Sequence, residues 1–339
     1  MPKLIFRIVN LVAVVSLLNA CQPPPDGLTN EAADGLEAKP VVITTVGMIA
    51  DVAQNVAGEC AVVTPLMGPG TDPHTYRAGA RDSRTLGSAD LILYSGYALE
   101  GEFGELLGRI GERRATVAVA EVAISKDRVI ATDNQYGVDP HVWMDVALWA
   151  GIADVAAQSL GALEPECAAR MRTNAAAYRA ELRALDRWVR ESIITIPEAQ
   201  RLLVTAHDAF NYYARAYGLE VAGIQGISTA SEAAIGDIRS TVDTVVSRNV
   251  PAIFVESSVN ARTVQAVQQA AASRGVETRV GGELFSDAMG EAGTEGGTYI
   301  GMIVHNTRTI TQALGGTVPP LPEALNAWAK RWNAVAVTP

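Results

Sequence analysis

The sequence predicts an α/β protein of two lobes, each a mostly parallel sheet flanked by helices, joined by one long helix. The chain has 339 residues, which is too long for one small hydrophobic core. Strand patterns alternate with helix patterns in both halves, as is typical of parallel sheets covered by helices. One long apolar stripe with helical spacing separates the two halves.

The first half begins with a strand pattern at residue 41. Its predicted strands are short apolar runs, and they are Val41–Val46, Ala61–Leu66, Leu91–Tyr94 and Thr116–Val119. Helices are predicted from Met48 to about Ala57 and from Val142 to about Leu160. This alternation predicts a lobe with a mostly parallel sheet.

The long helix is predicted to begin near Pro165, because proline suits the first turn of a helix. Apolar or small residues then recur in steps of three or four, at Met171, Ala175, Tyr178, Leu182, Leu185, Val189 and Ile193. The pattern stops before Pro197, which gives a helix about 40 Å long. The pattern alone is compatible with a surface helix of one lobe or with a rigid connection between two lobes.

The second half repeats the alternation. Its predicted strands are Leu202–Thr205, Val221–Ile224, Ala252–Val255 and Thr278–Val280. Its predicted helices are Ser231–Val246, Ala261–Ser273 and Thr298–Leu314. We therefore expect a second α/β lobe.

The N-terminus is typical of an export signal. Lys3 and Arg7 form a basic region, and the apolar run that follows is too short to span a bilayer comfortably. It ends in Leu-Asn-Ala-Cys21, which resembles a bacterial lipobox, so we predict a signal peptide over 1–20 and a lipid on Cys21; an ordinary signal peptide is the alternative. Residues 22–39 lack apolar periodicity and are predicted to be a flexible tether. No later segment is expected to span a membrane.

The net charge of −10 argues against a nucleic-acid partner. With Cys21 assigned to the lipid, Cys60 and Cys167 remain. They could pair in an oxidising compartment, but the sequence does not tell whether they are close together.

Histidine is scarce in this chain, so its placement is informative. Two of the four histidines, His74 and His141, end the repeated tripeptide Asp-Pro-His, and His207 follows an apolar strand. Asp287 follows the strand that ends near Val280. Ligands of open α/β sheets bind beyond the carboxyl ends of the strands, and three imidazoles with one carboxylate suit a divalent transition metal.

Each of these residues also has a structural interpretation. A loop histidine is often only solvated, His207 could lie at the edge of the core, and Asp287 could cap a helix. The fourth histidine, His305, lies inside an apolar helical pattern, so we expect it to be structural rather than a ligand.

Seven segments together resemble the zinc- and manganese-binding solute-binding lipoproteins of bacterial ABC transporters, the cluster A-I family. They include the Asp-Pro-His-Thr-Tyr and Thr-Ala-His-Asp-Ala-Phe segments, and in order they are Asp72–Tyr76, Ser88–Gly96, Asp139–Asp145, Thr205–Phe210, Ile253–Ser258, Leu284–Ala288 and Gly297–Met302. Each segment alone is modest evidence, but their number and order make the resemblance specific.

The resemblance implies that His74, His141, His207 and Asp287 are the metal ligands, two from each lobe. It implies lobes over 40–164 and 197–339 joined by a linker helix over 165–196. It further implies a binding protein and not an enzyme: an extracytoplasmic, membrane-anchored monomer that captures a divalent metal in the cleft and delivers it to an ABC permease.

Three further carboxylates could support the ligands from behind, because a ligating imidazole usually donates its other nitrogen to such a group. Glu256 is the first candidate, since it ends a predicted buried strand, although a salt bridge between the lobes explains it equally well. Asp145 and Asp208 are weaker candidates.

Three imidazoles and a carboxylate suit manganese, zinc or iron. The segment Ser125–Val138 contains no histidine, unlike the His-rich loop of some zinc importers, whereas a histidine as third ligand favours zinc. We expect both manganese and zinc to bind. Two other functions stay open on the sequence: a secreted zinc hydrolase, which would need an open coordination position and a general base, and a metal-stabilised surface adhesin.

Overall fold

The computed structural model describes residues 38–133 and 137–334. The first half contains one sheet whose four strands are β1 (Val41–Thr44), β2 (Val62–Pro65), β3 (Leu91–Tyr94) and β4 (Thr116–Ala118). Their spatial order is β2-β1-β3-β4, and every pair is parallel. All four predicted strands are confirmed to within two residues at either end.

Within residues 38–133 and 137–164, six helices accompany this sheet, and they are α1 (Gly47–Ala57), α2 (Ala80–Gly87), α3 (Gly101–Gly111), α4 (Val119–Ala123), α5 (Val146–Trp149) and α6 (Ile152–Leu163). The prediction of one continuous helix from Val142 was wrong. A 3-10 turn over Val142–Met144 comes first, and the Asp145 carboxylate then accepts the amides of Ala147 and Leu148 to start α5. The Asp145 cap therefore begins a new helix after the 3-10 turn.

The long helix α7 (Ala168–Ile193) has 26 residues and follows a 3-10 turn that begins at Pro165. All seven residues of the predicted apolar stripe are buried. The helix packs against α1 and α6 of the first half and against α11 (Tyr299–Ala313) of the second. It therefore connects two lobes, and the α/β fold of two lobes with a long linker helix is confirmed.

The second half has two parallel strand pairs. Its strands are β5 (Leu202–His207), β6 (Glu220–Gln225), β7 (Ala252–Glu256) and β8 (Arg279–Leu284). The pairs are β5 with β6 and β7 with β8, and β5 lies beside β7. Its other helices are α8 (Asn211–Tyr217), α9 (Ile235–Arg248), α10 (Arg262–Ser273) and α12 (Asn326–Trp332).

Strand β8 is longer than predicted. The prediction ended early because two glycines interrupt the apolar pattern of the strand. A Cβ atom on Gly281 would lie 2.7 Å from the ring of Phe254, and Gly282 has a positive φ of 141°. The backbone therefore packs where a side chain would normally stand. Strand β5 is also longer than predicted, so that His207 is its last residue.

Strands β5 and β7 are buried on both faces. Val204 and Ile253 belong to a small core with α9 and α10, whereas Leu203 and Phe254 belong to the main core with α7 and α11. The main core also includes the first half, and Trp328 of α12 joins it. The two lobes therefore share apolar packing as well as a connecting helix.

By length and composition, Val146–Leu163 is apolar enough to cross a membrane, contrary to the expectation from the sequence. In the structure this segment is divided between α5 and α6, packs against α7, and is 56% buried. It is a core segment of the first lobe.

The structure pairs Cys60 with Cys167 in a disulfide, which settles a point that the sequence left open. The two Cα atoms lie 6.3 Å apart, and the residues are 107 positions apart in sequence. The bond ties the turn after α1 to the residue before α7, and the Arg170 guanidinium contacts both sulfur atoms. It therefore fastens the first lobe to the linker helix.

We expect the double substitution Cys60→Ser and Cys167→Ser to lower the free energy of unfolding by about 2–5 kcal/mol, because a bond closing so long a loop restricts the unfolded chain. Urea unfolding of both proteins measures the difference. Adding a reductant should destabilise only the wild type, and equal midpoints for the oxidised wild type and the variant would contradict the expectation.

Candidate metal site

Four side chains from both lobes converge on one buried point. His74, His141, His207 and Asp287 each offer one ligand atom, and these atoms all lie within 4.8 Å of one another. All four residues are buried, and His74, the most exposed, has a relative exposure of 7%. The structure thus brings together the four residues that the sequence singled out.

The distances between the ligand atoms suit one metal ion. The Nε2 atoms of His74 and His141 are 3.2 Å apart. The Asp287 carboxylate lies 3.2 Å from His207 Nε2, 3.4 Å from His141 Nε2 and 3.8 Å from His74 Nε2. Metal bonds of about 2.0–2.1 Å in a tetrahedron place neighbouring ligand atoms roughly 3.3 Å apart.

Each ligand is held at the end of a local element. His74 lies in the loop after β2, His141 immediately before a 3-10 turn, His207 at the end of β5, and Asp287 in the loop after β8. Gly101 fixes the His74 loop from behind: its φ is 50°, and a Cβ atom there would lie 2.6 Å from the His74 carbonyl oxygen. Only glycine permits this approach.

The repeated Asp-Pro-His tripeptide forms the same turn twice. An Oδ1 atom of Asp72 accepts the backbone N–H of His74 at 2.9 Å, and Oδ1 of Asp139 accepts that of His141 at 3.0 Å. A carboxylate that accepts the amide two residues on fixes a compact turn. Both histidines are therefore presented from rigid loops.

Two of the imidazoles have a carboxylate behind them. Nδ1 of His141 lies 2.7 Å from Asp139 Oδ1, and Nδ1 of His207 lies 2.5 Å from Glu256 Oε2. Because an ionised carboxylate can only accept, Nδ1 is the donor in both pairs, and loss of the second proton from the ring would leave the lone pair on Nε2, which faces the other ligands. Glu256 also accepts the backbone N–H of His207 at 2.8 Å. This is the arrangement usual behind metal-ligating histidines.

The structure places Glu256 where the sequence suggested, but the partner of His141 was missed. That partner is Asp139, and its signal was the carboxylate two residues before the histidine. The signal is ambiguous, since Asp72 has the same spacing, but among the described residues its carboxylate accepts hydrogen bonds from the His74 amide and from two hydroxyl groups.

The other two suggested supporting residues serve different contacts. Asp145 caps α5, and its carboxylate also lies 3.9 Å from the Arg215 guanidinium. Asp208 follows His207 and is largely buried; burial raises the pKa of its carboxyl group, and a hydrogen bond from Asn211 opposes that shift. Among the described residues, neither carboxylate is hydrogen-bonded to an imidazole of the cluster.

His305 lies apart from the cluster. It is exposed on α11, where its Nε2 atom lies 2.9 Å from the carbonyl oxygen of Glu283 and its ring stands 4.7 Å from that of Phe285. These contacts agree with the structural role expected for it.

The three imidazoles differ in their affinity for protons. Burial lowers the pKa of His74 to about 4, although the charge of Asp287 opposes the shift. Burial also acts to lower the pKa of His141, but the charge and hydrogen bond of Asp139 outweigh it and raise that pKa to about 9. Burial is likewise outweighed at His207, where the charges of Glu256 and Asp287 hold the pKa well above its usual value.

The Asp287 carboxylate responds in the opposite direction. Burial would raise its pKa, but the positive charge on a protonated His207 and the neighbouring His141 hold that pKa well below its usual value. Its Oδ1 atom and Nε2 of His207 are buried and make no well-aligned hydrogen bond among the described residues, although His141 Nε2 lies 3.4 Å from that oxygen and Asp287 Oδ2 lies 3.2 Å from that nitrogen. Buried polar atoms without a partner are costly, and a cation between them would remove that cost.

The chain is similar to metal-binding proteins of bacteria. Residues 42–313 match the family model of the periplasmic zinc-uptake complex component A, ZnuA. The zinc-binding protein TroA of Treponema pallidum is 46% identical over 288 residues, which cover 85% of this chain and 92% of that protein. The solved structure of TroA superposes with a TM-score of 0.79 over 82% of this chain and 99% of the other.

Two other relatives carry different metals in their names. The manganese-binding lipoprotein MntA of Bacillus subtilis is 44% identical over 286 residues, 84% of this chain and 93% of that protein. The crystal structure of Fe(III)-bound YtgA from Chlamydia trachomatis has a TM-score of 0.76 at 26% identity and covers 83% of this chain and all of the other.

Substituting Asp139→Asn should weaken metal binding about 10- to 100-fold, because the amide no longer offers His141 a charged acceptor. Asp145→Asn is the matched control, since asparagine also caps helices and the site should keep its affinity. Calorimetric titration of both variants measures the effect. Equal affinities for the two variants would show that Asp139 does not support the site.

Metal binding at pH 7 should release about two protons per ion, because the raised pKa values of His141 and His207 favour the protonated rings in the metal-free protein and both rings must be neutral to bind a metal. Affinity should therefore rise with pH up to about 9, the pKa of His141, and fall on acidification. Calorimetry in two buffers of different ionisation enthalpy counts the protons. Identical heats in both buffers would be incompatible with this expectation.

Proposed function

The chain belongs to the family of periplasmic zinc-uptake components, and on this premise we propose that His74, His141, His207 and Asp287 bind the metal that it captures. Members of this family are the solute-binding components of ABC importers, so the protein captures a divalent transition metal outside the cytoplasm and delivers it to a membrane permease. It is a binding protein and not an enzyme.

The observation that carries the ligand assignment is the convergence itself. Two ligands come from loops of the first lobe, and the second lobe supplies His207 at the end of β5 and Asp287 in the loop after β8, yet the four ligand atoms lie within 4.8 Å of one another. Chance clustering of three histidines among only four in the chain is a poor explanation for this. A site built from both lobes also links capture and release of the metal to the relative position of the lobes.

The hydrolase hypothesis has less support. A catalytic metal site keeps a coordination position for water, whereas the four protein ligands proposed here complete a tetrahedral shell. The relatives support neither a hydrolase nor an adhesin, because they are described as metal-binding proteins and lipoproteins.

We propose manganese or zinc as the transported metal, with iron as a further candidate. The relatives named in the previous section are a zinc-binding protein, a manganese-binding lipoprotein and an Fe(III)-bound protein. Both oxygen atoms of Asp287 face imidazoles, Oδ1 towards His141 and Oδ2 towards His74 and His207. The carboxylate could thus bind through one oxygen to a four-coordinate zinc or through two to a metal that prefers a larger shell.

The protein is an extracytoplasmic lipoprotein anchored to a membrane. We propose Cys21 as the lipidated residue and 1–20 as the signal peptide, both of which lie outside the described residues. We also propose lobes over 40–164 and 197–339 with the linker helix over 165–196, a tether over 21–39, and a monomer as the functional state.

His141→Ala tests the ligand assignment. Loss of one inner-sphere imidazole should weaken binding of Zn(II) and of Mn(II) by orders of magnitude, because the remaining ligands cannot complete the shell. His305→Gln is the matched control and should keep the wild-type affinity, since His305 lies outside the cluster. Calorimetry of the chain without its signal peptide measures both, and unchanged affinity in His141→Ala would refute the assignment.

A further inference from the structure

The two Asp-Pro-His aspartates share a second feature that ligand binding does not explain. Each uses Oδ1 to hold the backbone N–H of its own histidine, and each uses Oδ2 to accept a side-chain donor from the other lobe. For Asp72 that donor is the hydroxyl group of Thr229, at 2.5 Å. For Asp139 it is the amide group of Asn211, at 3.1 Å.

These two contacts, Asp72–Thr229 and Asp139–Asn211, are called the clasps here. They join segments that are 157 and 72 residues apart in sequence. A single carboxylate in each clasp therefore fixes the position of a ligand histidine and connects the lobes. Charged acceptors make the stronger class of hydrogen bond, so each clasp is well suited to hold the lobes together.

We propose that the clasps couple lobe closure to the placement of His74 and His141, and that Thr229 is a positioning residue that slows release of the bound metal. This inference rests on the proposed function of the site. When the lobes separate, Asp72 loses Thr229, and the loop that carries His74 is freed from the second lobe. When they close, the same contact returns His74 to the metal.

The His74 loop depends on its clasp more than the His141 loop does. Among the described residues, Asp72–Thr229 is the one hydrogen bond between residues 67–79 and the second lobe. The His141 loop has additional connections, since the Tyr212 hydroxyl group of α8 donates to the Asp139 carbonyl oxygen at 2.8 Å and accepts the Ile130 amide at 2.9 Å. Loss of the first clasp should therefore matter more.

The Thr229 side of the clasp is itself fixed to the site. Gln225 lies opposite His207 in the pairing of β5 with β6, and its amide group donates to the carbonyl oxygens of Thr229 and Ser231. Gln225 thus fixes the position of Thr229 relative to His207, a ligand of the second lobe. The hydroxyl group of Thr229 in turn holds the loop that carries His74, a ligand of the first lobe.

The chain provides a matched control for this proposal. Thr75 also donates its hydroxyl group to Oδ2 of Asp72, at 3.0 Å, but it lies in the same loop and is exposed. Thr75→Val and Thr229→Val therefore remove the same kind of hydrogen bond from the same oxygen atom. Only Thr229→Val removes a connection between the lobes.

The test is the rate of Zn(II) release. Zn-loaded protein is mixed with excess chelator, and release is followed by tryptophan fluorescence, since Trp143 stands 5.2 Å from the His141 ring. We expect Thr229→Val to release the metal about tenfold faster than the wild type, as befits one lost hydrogen bond to a charged group. Thr75→Val should release the metal at the wild-type rate. Thr229→Ser should also keep the slow rate, because serine retains the hydroxyl group that donates to Asp72.

Asn211→Ala tests the second clasp and should accelerate release less than Thr229→Val, because Tyr212 remains. In the double variant the two effects on the rate should multiply. An unchanged rate in Thr229→Val, an equal acceleration in Thr75→Val, or failure of Thr229→Ser to restore the rate would each overturn the proposal. If the wild type binds neither Zn(II) nor Mn(II), the proposed function fails instead, so the two failures are distinguishable.

Discussion

The metal site depends on the pairing of buried imidazoles with buried carboxylates. The Asp139 carboxylate lies within hydrogen-bonding distance of Nδ1 of His141, and the Glu256 carboxylate lies within the same reach of Nδ1 of His207. Without those acceptors the rings would be free to rotate, and their lone pairs would not point at a common centre. His74 has a lowered pKa and is neutral, so it joins the same centre without losing a proton.

The two lobes are connected at three levels. The linker helix α7 packs against elements of both lobes, the main core extends across them, and the clasps join the ligand loops directly. The apolar connections run from the linker helix up to the ligands, where core residue Trp143 stands 5.2 Å from the His141 ring. The polar connections lie beside the ligands, where a hydrogen bond can be exchanged with water as the lobes move.

Most of the site was predictable because its residues carry strong local signals. Strand ends, two Asp-Pro-His turns and the scarcity of histidine all pointed to the four residues that converge. Asp139 was missed because its tripeptide is indistinguishable from that of Asp72, and only the tertiary structure decides which carboxylate reaches an imidazole nitrogen. The helix break at Asp145 was missed because an N-cap residue inside an apolar run leaves the apolar pattern intact. The predicted strand for β8 was too short because Gly281 packs its backbone, and not a side chain, against Phe254.

The Cys60–Cys167 bond has a practical consequence for how the protein is produced. Thiols stay reduced in the bacterial cytoplasm, so material made there without export would carry two free cysteines beside the start of α7. Thiolates are soft ligands with high affinity for zinc. Any zinc held by these thiols would add to the metal count and bias a zinc–manganese comparison towards zinc, so the cargo is best identified on protein in which the Cys60–Cys167 bond has formed.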